Sequence, residues 1–185
     1  MENIALTLTQ ASNISVIVSI APIFTGILAH FFLEGEKMKK SIVLGFVCAM
    51  AGICLITFQK GETVELNPLG DFLGVAAAAI WGVYSICSRK IAGFGYDTII
   101  TTRRTFFYGI LFMLCALPFM DFHLSLSALL KPVNLGNIIY LGVGASAICF
   151  VTWNYAVKSL GATRASVYIY GIPVVTILMS IPLLH

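Results

Sequence analysis

Hydrophobic positions in this chain do not alternate with polar ones; they run on. Asp, Glu, Lys and Arg are missing from 3–33, 41–59, 72–88, 105–120, 132–157 and 165–185, and the charged residues gather between these runs. A helix needs roughly 17–25 apolar residues to cross a bilayer, and the runs are of that order. Where a run falls a little short, Lys and Arg at its ends can extend to the interface. A membrane barrel would show a period of two instead. The pattern predicts six transmembrane helices, over 11–33, 41–58, 70–88, 104–120, 134–157 and 163–184.

Composition agrees. The chain is 59% hydrophobic and 10% charged, where a globular domain carries about 25% charged residues. A soluble fold is excluded. The net charge of +3 does not point to nucleic acid, because the basic residues follow membrane topology. Loops 34–40, 89–104 and 158–164 fall on one side of a six-span arrangement and hold nine of the eleven Lys and Arg residues; Lys60 and Lys131 lie on the other. Cytoplasmic loops carry the excess of Lys and Arg, so the first set is read as cytoplasmic. The five cysteines sit in apolar runs without a paired motif, as small buried hydrophobes do.

The chain also repeats itself. Asn3, Ala5, Ala11, Ser15, Val16, Pro22 and Thr25 recur 151 positions later as Asn154, Ala156, Ala162, Ser166, Val167, Pro173 and Thr176, without a gap. The helix at 11–33 runs toward the basic side and its copy at 163–184 runs away from it, so the copies are antiparallel. An odd number of spans per repeat requires this, and five fit within the period. Inverted repeats of this kind commonly enclose a solute site near the bilayer midplane. Two copies of the 151-residue period predict about 302 residues and ten helices. With the second repeat starting near Asn67, roughly 85 residues with three helices are expected before Met1 and roughly 30 with one helix after His185. The fold expected is an all-α membrane protein, a bundle of about six transmembrane helices that is part of a ten-helix inverted-repeat (5+5) transporter. Residues 1–66 would be the C-terminal part of the first five-helix repeat, and 67–185 the second repeat without its last helix.

Three stretches resemble the EamA-type drug/metabolite transporters: ASNISVIVSIAPIFTGILAHFFLEGEKM (11–38), AAAAIWGVYSICSRKIA (76–92) and LGVGASAICFVTWNYAVKSLGATRASVYIYGIPVV (141–175). The resemblance covers essentially the whole chain. It implies a carrier of two five-helix repeats, residing in the bacterial inner membrane, with no cofactor. Its solutes would be small organic metabolites such as amino acids or their derivatives, exported or allowed to permeate by alternating access. The expected partners are the lipid bilayer, the solute, and a missing chain segment or a second copy.

Individual residues sharpen this. Gly70, Gly74, Ala78 and Gly82 form a small-residue stripe, which lets helix backbones approach closely; it reads either as a sliding surface or as static packing. Pro22 and Pro173 fall inside predicted helices at equivalent repeat positions, remove a backbone donor and can kink the chain. A symmetric pair of hinges is one reading; the general frequency of proline in transmembrane helices is the other. Trp81, Tyr84, Asn154, Tyr168 and Tyr170 offer ring faces and polar tips to an organic solute, whereas Trp153 and Tyr155 suit interfacial anchoring. Glu34 is expected to pair locally with Lys37, Lys39 and Lys40.

An intramembrane enzyme fits poorly. The three histidines are scattered, and neither HExxH nor GxSxG occurs, so no catalytic or metal residues are assigned. No carboxylate is expected within any span, where proton-coupled carriers often hold one. A chain inactive by itself, or active only with a partner, remains the competing reading.

Overall fold

The computed structural model describes residues 17–59, 67–119, 131–171 and 175. The described residues form α1 (Ala21–Phe32), α2 (Lys40–Gln59), α3 (Pro68–Gly93), α4 (Thr98–Ala116) and a 3₁₀ turn over Leu117–Phe119. A long helix α5 (Pro132–Leu160) and a short α6 (Ala162–Val167) follow, the latter tightening into 3₁₀ geometry over Tyr168–Gly171. Helices α3, α4 and α5 are long and apolar enough to cross a membrane, and α1 and α2 contribute shorter apolar helices.

Charge placed two helix boundaries too far inward. Helix α3 continues through Arg89 and Lys90 to Gly93. Helix α4 begins at Thr98, because the Asp97 carboxylate accepts hydrogen bonds from the Ile99 and Ile100 N–H groups at 2.9 and 3.1 Å. That cap satisfies donors a helix start leaves without partners. Arg103 and Arg104 therefore lie inside α4, exposed on its surface. A long side chain on a helix can deliver its charge to the interface from within the last turns, so charge marks a boundary only approximately.

Two compact units emerge. One is built on α1, α2, α3 through Lys90, and α6; the other on α4 and α5 through Ser159. In the first, α1 packs against α6 through small residues: Ala21, Thr25, Gly26 and Ala29 on one side, Ala162, Thr163, Ala165 and Ser166 on the other. Without a hydrophobic effect between helices in lipid, close backbone approach takes its place. The buried hydroxyls bond back into their own helices, Thr25 to the Ala21 carbonyl at 3.0 Å and Ser166 to the Thr163 carbonyl at 2.9 Å. Gly70, Gly74, Ala78 and Gly82 are all buried along α3. At Gly82 the approach is closest: a Cβ there would lie 3.1 Å from the Thr25 nitrogen and 3.2 Å from the Phe24 carbonyl carbon.

In the second unit Asn154 donates from Nδ2 to Thr102 Oγ1 at 2.9 Å, and Phe106 meets Phe150 edge to face with centroids 5.1 Å apart. Tyr140–Ile148 of α5 winds more widely than an α-helix, with the Cys149 N–H reaching back to the Gly144 carbonyl. Such i→i+5 segments are rare in helices.

The repeat is visible in the backbone. Ser19 and Ile20 form a turn just before α1, with the Ile20 N–H bonded to the Ile17 carbonyl at 3.0 Å. The stretch 17–20 maps, at the 151-residue offset, onto 168–171, where α6 loses α-helical geometry. Ser19 and Ile20 thus fall on Tyr170 and Gly171 of that 3₁₀ stretch, whereas the helical Ile17 and Val18 fall on Tyr168 and Ile169, so the two departures overlap without coinciding. Pro22 accordingly stands in the first turn of α1, where its missing N–H breaks no helical bond, rather than in the middle of an unbroken span. Its counterpart Pro173 lies outside the described residues.

Candidate functional site

Helices α1, α2 and α6 enclose an apolar cleft of about 690 Å³, within the size range of small-molecule sites. Pro22, Gly26, Met38, Phe46, Thr163 and Tyr170 are among the residues that line it, and none of its lining residues is charged. The Tyr170 ring lies 6.0 Å from that of Phe46. The Tyr170 hydroxyl and Thr163 Oγ1 are both buried, with no hydrogen-bond partner among the described residues. The site is therefore an apolar trough with three neutral hydroxyls among its lining residues, those of Ser41, Thr163 and Tyr170. It can hold a hydrophobic body and meet hydrogen-bonding groups of a solute.

The expected lining residues divide. Tyr170 lines the cleft, as does Pro22, which was expected as a hinge. Trp81 and Tyr84 form a pair on α3, with ring centroids 5.7 Å apart, and both are half-buried. Tyr168 is 73% exposed. Asn154, 7% exposed, directs its amide to Thr102 of the neighbouring helix. Asn154 and Thr102 lie 52 residues apart, and the chain pattern holds no sign of their pairing.

A second cluster was not anticipated. The loop after α1 was expected to close through Glu34 and its neighbouring lysines, yet Glu34 is exposed and the ion pair is made by Glu36, whose Oε1 lies 3.0 Å from Arg89 Nε. The Glu36 carboxylate also accepts from the backbone N–H groups of Ala162 and Thr163 at 3.1 and 3.0 Å. This brings loop 34–40, the end of α3 and the start of α6 together. All three belong to the face read as cytoplasmic from its Lys and Arg count. The signal that could have found Glu36 was Gly161: a helix that opens on glycine has no side chain of its own to satisfy its first donors.

The expectation that no span holds a carboxylate is overturned, because the candidate span α3 starts at Pro68 and includes Asp71. Asp71 occupies the first turn of α3, with Oδ1 buried and without a hydrogen-bond partner among the described residues.

The helical inventory, the apolar spans and the uncharged cleft define a polytopic, all-helical membrane protein. The chain matches the EamA-like transporter family over residues 1–58 and 68–185, and it belongs to that family. It is 28% identical over 96% of its length to the uncharacterized transporter YyaM of Bacillus subtilis, covering 58% of that protein. It is 28% identical over 92% of its length to a probable terminal-alkyne amino-acid exporter of Streptantibioticus cattleyicolor, covering 55% of it. The aromatic amino acid exporter YddG of Ancylobacter novellus is 26% identical over 95% of this chain and 59% of its own. A solved crystal structure shares the fold with a TM-score of 0.77 and 23% identity, over 96% of this chain and 60% of the other. The chain thus spans somewhat more than half the length of the relatives it matches.

Proposed function

We propose that this chain forms part of a carrier for small organic solutes, working by alternating access between two inverted repeats in a bacterial cytoplasmic membrane. Its solutes are amino acids or their derivatives with an apolar or aromatic body, moved outward or allowed to permeate. The uncharged cleft accepts the side chain of such a solute, and the Tyr170 hydroxyl meets one of its polar atoms. Trp81, Tyr84, Asn154 and Tyr168 contribute further along the path. Pro22 and Pro173 serve as paired hinges, and the stripe from Gly70 to Gly82 is the packed surface along which α3 meets its neighbour. Residues 1–66 belong to the first repeat and 67–185 to the second.

The observation that carries this reading is that both copies of the repeated helix lose α-helical geometry at overlapping positions, Ser19–Ile20 in one and Tyr168–Gly171, which matches 17–20, in the other. Two helices broken at overlapping repeat positions and packed antiparallel are what a two-sided carrier needs to open alternately. The family and the relatives named as amino-acid exporters support the solute class.

The test is flux. Inside-out vesicles containing the chain are expected to take up labelled phenylalanine or leucine above vesicles from vector-only cells, with Tyr170→Phe weakening the apparent affinity. No uptake of any apolar or aromatic amino acid above the vector would remove the proposal.

A second reading has its own observation: no residue in the apolar window of α5 is buried, and the chain covers 58% of a relative's length. On that reading the chain works only with a partner chain or a second copy that covers α5. Flux that appears only on co-expression of a second chain carrying the complementary helices is its expected result.

A further inference from the structure

Glu36 makes three hydrogen bonds to residues that are 53, 126 and 127 positions away in sequence. Its side chain is 15% exposed and that of Arg89 is 35% exposed. The first N–H groups of any helix lack intrahelical partners, and a nearby Ser, Thr, Asp or Asn usually accepts from them. Helix α6 opens on Gly161 instead, which makes no side-chain cap. Glu36 takes over that task from a different part of the chain.

The glycine is required twice over. Its backbone lies at φ 92° and ψ 158°, a region essentially confined to glycine. A Cβ on it would stand 2.7 Å from Glu36 Oε1. Gly161 therefore supplies both the bend and the gap that let the carboxylate reach the Ala162 and Thr163 N–H groups. Arg89 balances the charge from the end of α3.

This contact spans the repeat. Ala162 and Thr163 begin the second copy of the repeated helix, matching Ala11 and Ser12, whereas Glu36 closes the loop that follows the first. Any motion that parts the two copies at this face must strip a partly buried carboxylate of three donors and leave two helix N–H groups unpaired. Hydrogen bonds to ionised groups are the strong ones.

We infer that Glu36 is a releasable latch: its carboxylate, seated on the start of α6 and paired with Arg89, holds this face of the protein shut. Its part in a transport cycle rests on the alternating-access reading above; its holding of the closed arrangement does not. Glu36 is a positioning residue, touching no solute.

The experiment reads closure directly, without solute. The five cysteines are replaced by serine or alanine, and a single reporter is placed at Ala165→Cys, a position 1% exposed on α6. Inside-out vesicles are treated with a membrane-impermeant maleimide. With Glu36 present, the reporter is protected. Glu36→Gln keeps one acceptor oxygen but loses the charge and the second; it is expected to raise the labelling rate about tenfold, the equivalent of ~1.4 kcal/mol of lost closure. Arg89→Gln, which leaves both N–H bonds in place, is expected to raise it less. A control reporter at Thr102→Cys, 3% exposed on α4, stays protected in every variant.

Unchanged labelling of Ala165→Cys in the Glu36→Gln protein would falsify the latch. So would a parallel rise at both reporters, which marks general loss of packing rather than opening at one face. Flux is scored separately. Labelling that shifts as expected in a chain that moves no amino acid sustains the latch and removes the carrier reading.

Discussion

Gly82 of α3 lies directly against the backbone of Thr25 of α1: a Cβ added at Gly82 would sit 3.1 Å from the Thr25 nitrogen. The obstacle is main chain, which cannot swing aside as a side-chain tip can. Gly82→Ala is therefore expected to force α1 and α3 apart and cost about 1–3 kcal/mol, the range for overpacking a well-filled interior. Gly45→Ala on α2 is the matched control, since nothing lies within 4 Å of a Cβ there. It is expected to be neutral or to gain up to ~1 kcal/mol of helix propensity. Thermal unfolding of both variants in the same detergent checks the contrast. Equal melting temperatures would mean that the small residue at Gly82 does not set the approach of α1 and α3.

Asn154 and Thr102 form a polar tie between α4 and α5. The Thr102 hydroxyl donates to the Thr98 carbonyl at 2.7 Å and accepts from the Asn154 amide at 2.9 Å. Such ties inside membrane proteins couple by about 0.6 kcal/mol on average and up to ~1.7. A double-mutant cycle with Asn154→Leu and Thr102→Val is expected to return a coupling energy in that range. A coupling of zero would free Asn154 for direct contact with a solute.

The Tyr170 hydroxyl is buried in the cleft wall with no hydrogen-bond partner among the described residues. Leaving such a group unmet costs about 1–3 kcal/mol. Tyr170→Phe removes the hydroxyl while keeping the ring against Phe46. Its melting temperature is expected to hold or rise, while the apparent KM for an amino-acid solute increases severalfold with little change in maximal flux. A fall in melting temperature would assign the hydroxyl to the fold.

Gly161→Ala places a side chain where the backbone is at φ 92° and ψ 158° and where Glu36 Oε1 would be 2.7 Å away. Backbone strain of this kind costs about 1–3 kcal/mol, and displacement of the carboxylate adds to it. Removing the contact by Glu36→Ala in the Gly161→Ala chain is expected to recover only the part due to the clash. Melting temperatures of the two single variants and the double variant, compared as a cycle, separate the two terms. Full recovery would mean that the glycine answers to Glu36 alone.

Much of this protein was legible before any coordinates. The absence of water from a bilayer core forces apolar runs into helices, so six charge-free runs indicate helices and an excess of Lys and Arg indicates which loops share a face. Small residues every fourth position on α3 mark a close-packed face. Length and sign of charge carry that information locally, without reference to any other part of the chain.

What only the tertiary structure decided is which distant groups meet. No spacing rule connects Glu36 to Ala162, or Asn154 to Thr102, because those bonds depend on how helices cross. Glu34 and Glu36 are indistinguishable as charges in one loop, yet one is exposed and the other is seated on α6.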